Sequence, residues 1–141
     1  MGFYDQYKGI FDQIKLELEE LKIFKQIFLG EKIRLQSFPL AVINPLENSM
    51  NKPFASDLIE NRVGVEIYVI IRETEPENWF EDVIVPLCTV LDKLMSDSTL
   101  NGKVKDLIPR LLSPGEIRFS NKMFYGGLIR LEALMYYNPS G

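Results

Sequence analysis

Apolar positions along the chain follow two spacings, one helical and one alternating. Phe3, Tyr7, Ile10, Ile14, Leu18 and Leu21 recur at steps of three and four, with Phe11 widening the stripe. Glu17, Glu19, Glu20 and Lys22 fill the other face, which predicts an amphipathic helix. The pattern weakens from Phe24 to Phe28, and Gly30 is its expected stop. Residues 31–43 read as a strand whose phase slips: Ile33 and Leu35 share one face, but the next apolar set is Phe38, Leu40 and Val42. A change of phase around Ser37 is what a β-bulge produces, and Pro39 prefers an edge strand. Residues 44–60, from Asn44-Pro45 through Lys52-Pro53, carry turn formers with little periodicity. They predict a long loop of the kind that tends to be functional or mobile.

The clearest strand comes next, with Val63, Val65, Ile67, Val69 and Ile71 alternating with Arg62, Gly64, Glu66, Tyr68, Ile70 and Arg72. Thr74-Glu75-Pro76-Glu77 has the form of a capping box opening a second helix. That helix has an apolar stripe of Phe80, Val83, Ile84, Leu87, Leu91, Leu94 and Met95, and Cys88 reads as core filler on it. Pro86 inside the stripe predicts a kink or a late helix start. Thr99-Leu100-Asn101-Gly102 is a turn with Gly102 at positive φ. Residues 103–112 and 115–122 read as strands joined near Ser113-Pro114-Gly115. Gly126-Gly127 precedes a last strand with Ile129, Leu131, Ala133, Met135 and Tyr137 facing the core, and Arg130, Glu132, Leu134 and Tyr136 on its other side.

Two apolar helical stripes and one apolar sheet face predict a single α+β domain spanning residues 1–141, a two-layer α/β sandwich. Its mostly antiparallel or mixed sheet of four to five strands carries both helices on one face. The opposite face combines Gly64, Glu66, Tyr68 and Ile70 with Arg130, Leu134 and Tyr136. No third layer remains to cover it, so Glu66, Tyr68, Ile70, Arg130, Leu134 and Tyr136 form a candidate subunit interface. Met50, Lys52 and Phe54 in the 44–60 loop are candidate contacts with a partner.

Composition narrows the chemistry. The 141 residues are 46% hydrophobic and 26% charged with a net charge of −4, in the range of a globular domain. No basic stripe suited to a nucleic-acid backbone occurs; Lys103 and Lys105 are interrupted by Val104 and followed by Asp106. No run of apolar residues is long enough to span a membrane. The start Met1-Gly2-Phe3-Tyr4-Asp5 does not read as a secretory signal, and Gln6 breaks a myristoylation motif. The lone Cys88 excludes an intrachain disulfide and points to a reducing compartment. Histidine is absent. That removes the commonest general base and transition-metal ligand, so no catalytic residue, metal site or cofactor is expected. No Gly-rich phosphate loop occurs. Glu73, Glu75 and Glu77 are the densest carboxylates, and the capping box accounts for them better than a cation site does.

The stretch Leu91-Asp92-Lys93-Leu94-Met95-Ser96-Asp97-Ser98-Thr99-Leu100-Asn101-Gly102-Lys103-Val104 resembles tail terminator proteins of long-tailed double-stranded-DNA bacteriophages. In that family a helix ends in a Leu, Asp, Pro/Ser-Thr-Leu-Gly/Asn-Gly-x-Val turn, and a later Gly- or Ala-containing stretch leads into a final strand ending in aromatics. Tyr125-Gly126-Gly127 through Tyr136-Tyr137 occupies that last place. The resemblance covers about residues 60–137; over residues 1–59 only size and element order agree. It implies a structural protein of the virion, assembled in the host cytoplasm. It also implies a homo-oligomeric, hexameric ring that caps the tail tube and presents a docking surface to the head connector, without enzymatic activity. Leu100, Gly102 and Val104 are then structural motif residues, and the partners are further copies, the tube protein and the connector or neck protein, with no sequence-specific nucleic acid and no membrane. A neck or tail-completion protein from the same junction is the alternative. A carboxylate-only metal-dependent enzyme and a generic small-molecule-binding domain are more distant ones.

Overall fold

A computed structural model describes residues 2–30, 37–53, 56–71, 76–119 and 121–139. The expected strand positions Ile33 and Leu35, the loop residue Phe54, Arg72, Glu73 and the Thr74-Glu75 start of the capping box lie outside the described residues. Helix α1 spans Phe3–Leu21 and buries Ile10, Phe11, Ile14 and Leu18, as its stripe predicts. It stops earlier than Gly30. Lys22 adopts a left-handed conformation, φ 58°, and its N–H donates to Glu19 O at 3.2 Å, closing the last turn.

Strand β1, Gln26–Leu29, comes next and pairs in parallel with Leu40–Ile43 of β2, Leu40–Asn51. Gly30, at φ 96°, ends β1, and its N–H donates to Ile43 O. Residues 37–39 are not strand, so Ser37 is not the site of a bulge. The bulge lies instead between Pro45 and Asn48, where β2 pairs antiparallel with β3, Ile59–Ile71. The expected 44–60 loop is therefore mostly a β-hairpin arm. Its turn-forming residues are held extended by the ladder to β3. β1 covers β2 only as far as Ile43, so among the described residues no strand pairs with Pro45 on that side and its missing donor is tolerated. Gly64 makes the bulge possible: a Cβ there would lie 2.7 Å from Glu47 O and 2.8 Å from Leu46 Cβ.

A 3-10 turn, Pro76–Asn78, and a π turn, Phe80–Ile84, lead into α2, Val85–Met95. The late start expected from Pro86 is found there. Val85 N–H reaches back to Phe80 O, and Pro86 opens the α-helical part where it has no donor to lose. The wide turn rotates Phe80 off the stripe, leaving it 71% exposed. Val83, Leu87, Val90 and Leu94 make the buried face, and Cys88, one step around from Leu87, is exposed rather than core filler.

Strand β4, Asp106–Phe119, runs unbroken through Ser113-Pro114-Gly115, whose residue types predict a turn. It pairs along its length with β5, Lys122–Tyr137, with a bulge between Pro109 and Leu111. Gly126 and Gly127 lie inside β5, opposite Gly115 and Pro114. A Cβ on Gly127 would meet the Leu87 side chain, Ser113 O at 2.9 Å and Pro114 Cα at 3.0 Å. The glycine pair thus lets β4 and α2 close onto β5 in place of ending a turn.

The mixed five-stranded sheet has the order β1-β2-β3-β5-β4, with every neighbouring pair antiparallel except β1 and β2. Both helices pack on one face, an α+β arrangement. Ile10, Ile14 and Leu18 of α1 and Leu87, Val90 and Leu94 of α2 meet Val63, Val65, Ile67 and Val69 of β3 and Ile129, Leu131 and Ala133 of β5. Within this layer lies Glu17, which helical phase assigns to the polar face. Burial raises its pKa, while a 3.4 Å hydrogen bond donated by Gln13 Nε2 and the charge of Lys93 act the other way, and Asp97 and Glu20 add to the rise.

Two outcomes are expected. Gly127→Ala destabilises the fold by about 1–3 kcal/mol, read from urea unfolding midpoints, because backbone atoms of β4 cannot retreat from the new methyl. Glu17→Gln raises the thermal midpoint at pH 7. A carboxyl whose pKa is higher folded than unfolded costs stability when ionised in both states and nothing once protonated in both. The advantage of the glutamine therefore fades as pH falls through and below the ordinary carboxylate range, which a pH series of thermal melts checks.

Candidate assembly surface

The link from α2 to β4 is built on local chemistry. Leu100, Asn101 and Gly102 take three successive left-handed conformations, φ 49°, 56° and 82°. For non-glycine residues this costs about 1–2 kcal/mol each. Two effects offset it. Leu100 is fully buried in the main core, a gain of about 1.5–3 kcal/mol. Asp97 also caps the turn. Its Oδ1 accepts from Thr99 N–H at 3.0 Å and from the Thr99 hydroxyl at 2.6 Å, and its Oδ2 accepts from Asn101 N–H at 3.0 Å. The Thr99 hydroxyl accepts from Gly102 N–H, and Val104 N–H donates to Thr99 O. The Thr99 hydroxyl and the two amides hold the Asp97 carboxyl below the usual carboxylate range. Val104 is buried, and Lys105 N–H joins the sheet at Leu134 O.

The outer sheet face divides in two. Near the start of β2, Leu40, Val42, Ile70, Ile117 and Phe124 form a second apolar cluster joined by Phe28, Phe38 and Tyr68, with Phe38 stacked on Phe124 at 5.4 Å. The chain thus covers this end itself. Ile70, expected at an interface, is fully buried, and Tyr68 is half-buried. Glu66, also expected there, is buried and accepts from Arg130 Nε at 2.7 Å across the β3–β5 register. The other end stays open. There Glu132 Oε1 accepts from Arg62 Nη1 at 3.0 Å and Arg110 Nη2 at 3.1 Å, and Arg62 also pairs with Glu60. Arg110 and then Arg62 hold the Glu132 carboxyl below its ordinary range. Leu134 is half-buried, and Tyr136 is 43% exposed beside this cluster. Of the six expected interface residues, Arg130 and Tyr136 are exposed, Tyr68 and Leu134 are half-buried, and Glu66 and Ile70 are buried.

The β2–β3 arm exposes Leu46, Met50 and Leu58, with Lys52 exposed at its end. A groove of about 510 Å³ opens between the first turns of α1 and the segment entering β4, bordered by Asp5, Gln6, Gly9, Lys103, Lys105 and Tyr136. The sequence does not announce this groove, because its walls come from both ends of the chain. The Arg62–Glu132–Arg110 cluster is legible in part, since Arg62 and Glu132 alternate with core residues along their strands. Among the described residues, no three His, Cys, Asp or Glu side chains are grouped to hold a metal ion, and no helix is long and apolar enough to cross a membrane.

Leu100→Ala is expected to destabilise the fold by about 2–5 kcal/mol, because it empties a buried site and keeps the left-handed backbone. Asp97→Ala lowers the thermal midpoint more than Asp97→Asn. An acid whose folded pKa is depressed contributes above its unfolded pKa and loses that contribution as pH falls through the folded value. The gap between wild type and Asp97→Ala therefore persists at mildly acid pH and closes only in strong acid, as thermal melts will show. A scan against protein-family models returns no match for this sequence, and a search among curated proteins returns none either.

Proposed function

We propose that this chain is a non-catalytic assembly protein of a bacteriophage tail. In this reading it forms a ring that caps the tail tube and offers the docking surface for the head connector. The observation that carries the proposal is the Asp97–Val104 turn. The turn that resembles tail terminators lies where a buried Leu100, a left-handed Gly102 and a buried Val104 fasten α2 to the sheet, a role that is architectural and not chemical. The open charged end of the sheet, with Arg110, Arg130 and Tyr136 accessible, supports a surface that a protein partner covers. The absence of histidine from the sequence fits a protein that performs no general-base chemistry.

Light scattering coupled to size exclusion, with and without purified tail tubes, tests this reading. The expected result is a discrete species of about six times the 16.3 kDa chain mass, bound at tube ends in electron micrographs. A chain that stays monomeric in both conditions overturns it. A chain that binds DNA-filled heads and ignores tubes moves the role to the neck.

A further inference from the structure

We propose that Asn101-Gly102 is a latent self-modification site, at which the asparagine converts to aspartate or isoaspartate once the Asp97–Thr99 clasp opens. This chemistry does not depend on the chain forming a ring. Asn101 is the one asparagine of the sequence that a glycine follows. Both residues are exposed, and the Asn101 side-chain amide makes no hydrogen bond among the described residues. Glycine has no Cβ to shield its amide nitrogen from the preceding side chain. The turn itself dictates this pair. Gly102 at φ 82° favours glycine, and Asn101 at φ 56° is one of the residue types that best tolerate a left-handed backbone.

The step is internal and needs only water. The Gly102 nitrogen bonds to Asn101 Cγ, the Cγ–Nδ2 bond breaks, and the amide proton leaves with the side-chain nitrogen as ammonia. Water then opens the five-membered imide at either carbonyl. One opening gives aspartate, and the other gives isoaspartate, whose backbone runs through the former side-chain carbon. Both products add a carboxylate to a residue whose N–H already rests on the Asp97 carboxylate. Isoaspartate also lengthens the chain between the buried Leu100 and Val104.

The folded turn blocks this closure in two ways. A left-handed residue has ψ near about +47°, which turns the next nitrogen away from its own Cβ. The Gly102 nitrogen therefore reaches Asn101 Cγ only after a large backbone rotation. The Gly102 N–H also donates to the Thr99 hydroxyl at 3.2 Å, which holds the proton that the reaction must remove. Rotation is resisted on both sides of the pair. Asn101 N–H donates to Asp97 Oδ2 at 3.0 Å, and Lys103 N–H donates to Leu100 O at 3.1 Å. The Thr99 hydroxyl joins the halves of the clasp, donating to Asp97 Oδ1 while accepting from Gly102. The rate of conversion is then set by how often the turn opens.

The test incubates full-length wild type, Thr99→Val and Ile67→Val in the folded state at mildly alkaline pH, with urea-unfolded wild type alongside. Peptide mass mapping reads the amide-to-acid conversion at Asn101, and enzymatic isoaspartate methylation reads the lengthened product. Ile67 pairs with Ile43 and Ile129, away from the Lys105–Leu134 contact where the turn joins the sheet. Its variant therefore lowers stability without touching the clasp. Unfolded wild type is expected to convert fastest and folded wild type slowest. Thr99→Val converts about tenfold faster than folded wild type, through the two hydrogen bonds it loses, and Ile67→Val stays near wild type. An unfolded chain that keeps its Asn101 amide, a folded wild type as fast as the unfolded chain, or a Thr99→Val no faster than Ile67→Val overturns the proposal. If Thr99→Val does not fold by circular dichroism, native-state hydrogen exchange of wild type decides. A protected Gly102 amide supports the clasp, and one exchanging at the unstructured rate overturns it.

Discussion

The central strand β3 must bury one face completely, and most of the structure depends on that demand. Val63, Val65, Ile67 and Val69 are all inaccessible, and β3 is paired on both sides, to β2 and to β5. A slip of one residue would carry all four valine and isoleucine side chains to the outer face and bring Glu66 and Tyr68 inward. Each neighbour is therefore held to one register. β2 absorbs its irregularity as a bulge over Gly64, and β5 crosses β3 with Gly126 where a side chain would strike Val69 O. The glycines lie where the constraint leaves no room for a Cβ.

That same alternation makes the outer face uneven. Even-numbered β3 residues point outward, and they grade from Arg62 through Gly64, Glu66 and Tyr68 to Ile70. At the Ile70 end the chain folds Phe38 and Phe124 over the strand and seals it. At the Arg62 end it places charges, with Arg62 and Arg110 converging on Glu132 and Glu60 joining through Arg62. Exposed ion pairs of this type contribute little to stability. Their effect is to keep this part of the sheet face wet, which disfavours non-specific apolar contacts there.

This fold is legible in the sequence wherever a period runs long. α1, β3 and the last part of β5 derive directly from steps of three and four or of two. Legibility fails where local chemistry and tertiary pairing disagree. Asn44-Pro45 and Lys52-Pro53 read as loop because they are turn formers, yet the ladder to β3 draws residues up to Asn51 into a strand. Ser113-Pro114-Gly115 reads as a turn for the same reason, and β5 holds it straight. Helical phase misplaces Phe80 because a π turn inserts one residue into the count, which no apolar pattern marks, and it misplaces Cys88 because the buried stripe of α2 runs through Leu87, Val90 and Leu94. Of the candidate surface, the alternation identifies Arg130, Leu134 and Tyr136. The groove stays hidden, since Gln6 and Lys103 are neighbours only after the sheet has formed.

The free edges bear on how such a chain associates. A five-stranded open sheet has two edges, and an unguarded edge invites indefinite growth by strand addition. Here β4 carries two prolines and a bulge, and β1 is only four residues long. Among the described residues, the remaining stretch that β1 does not cover is β2 beyond Ile43, and it is bent by the Pro45–Asn48 bulge and carries Glu47. Among the described residues, open-ended strand pairing is thereby disfavoured at each edge, because prolines, bulges and a charged side chain interrupt the regular ladder a further strand would need.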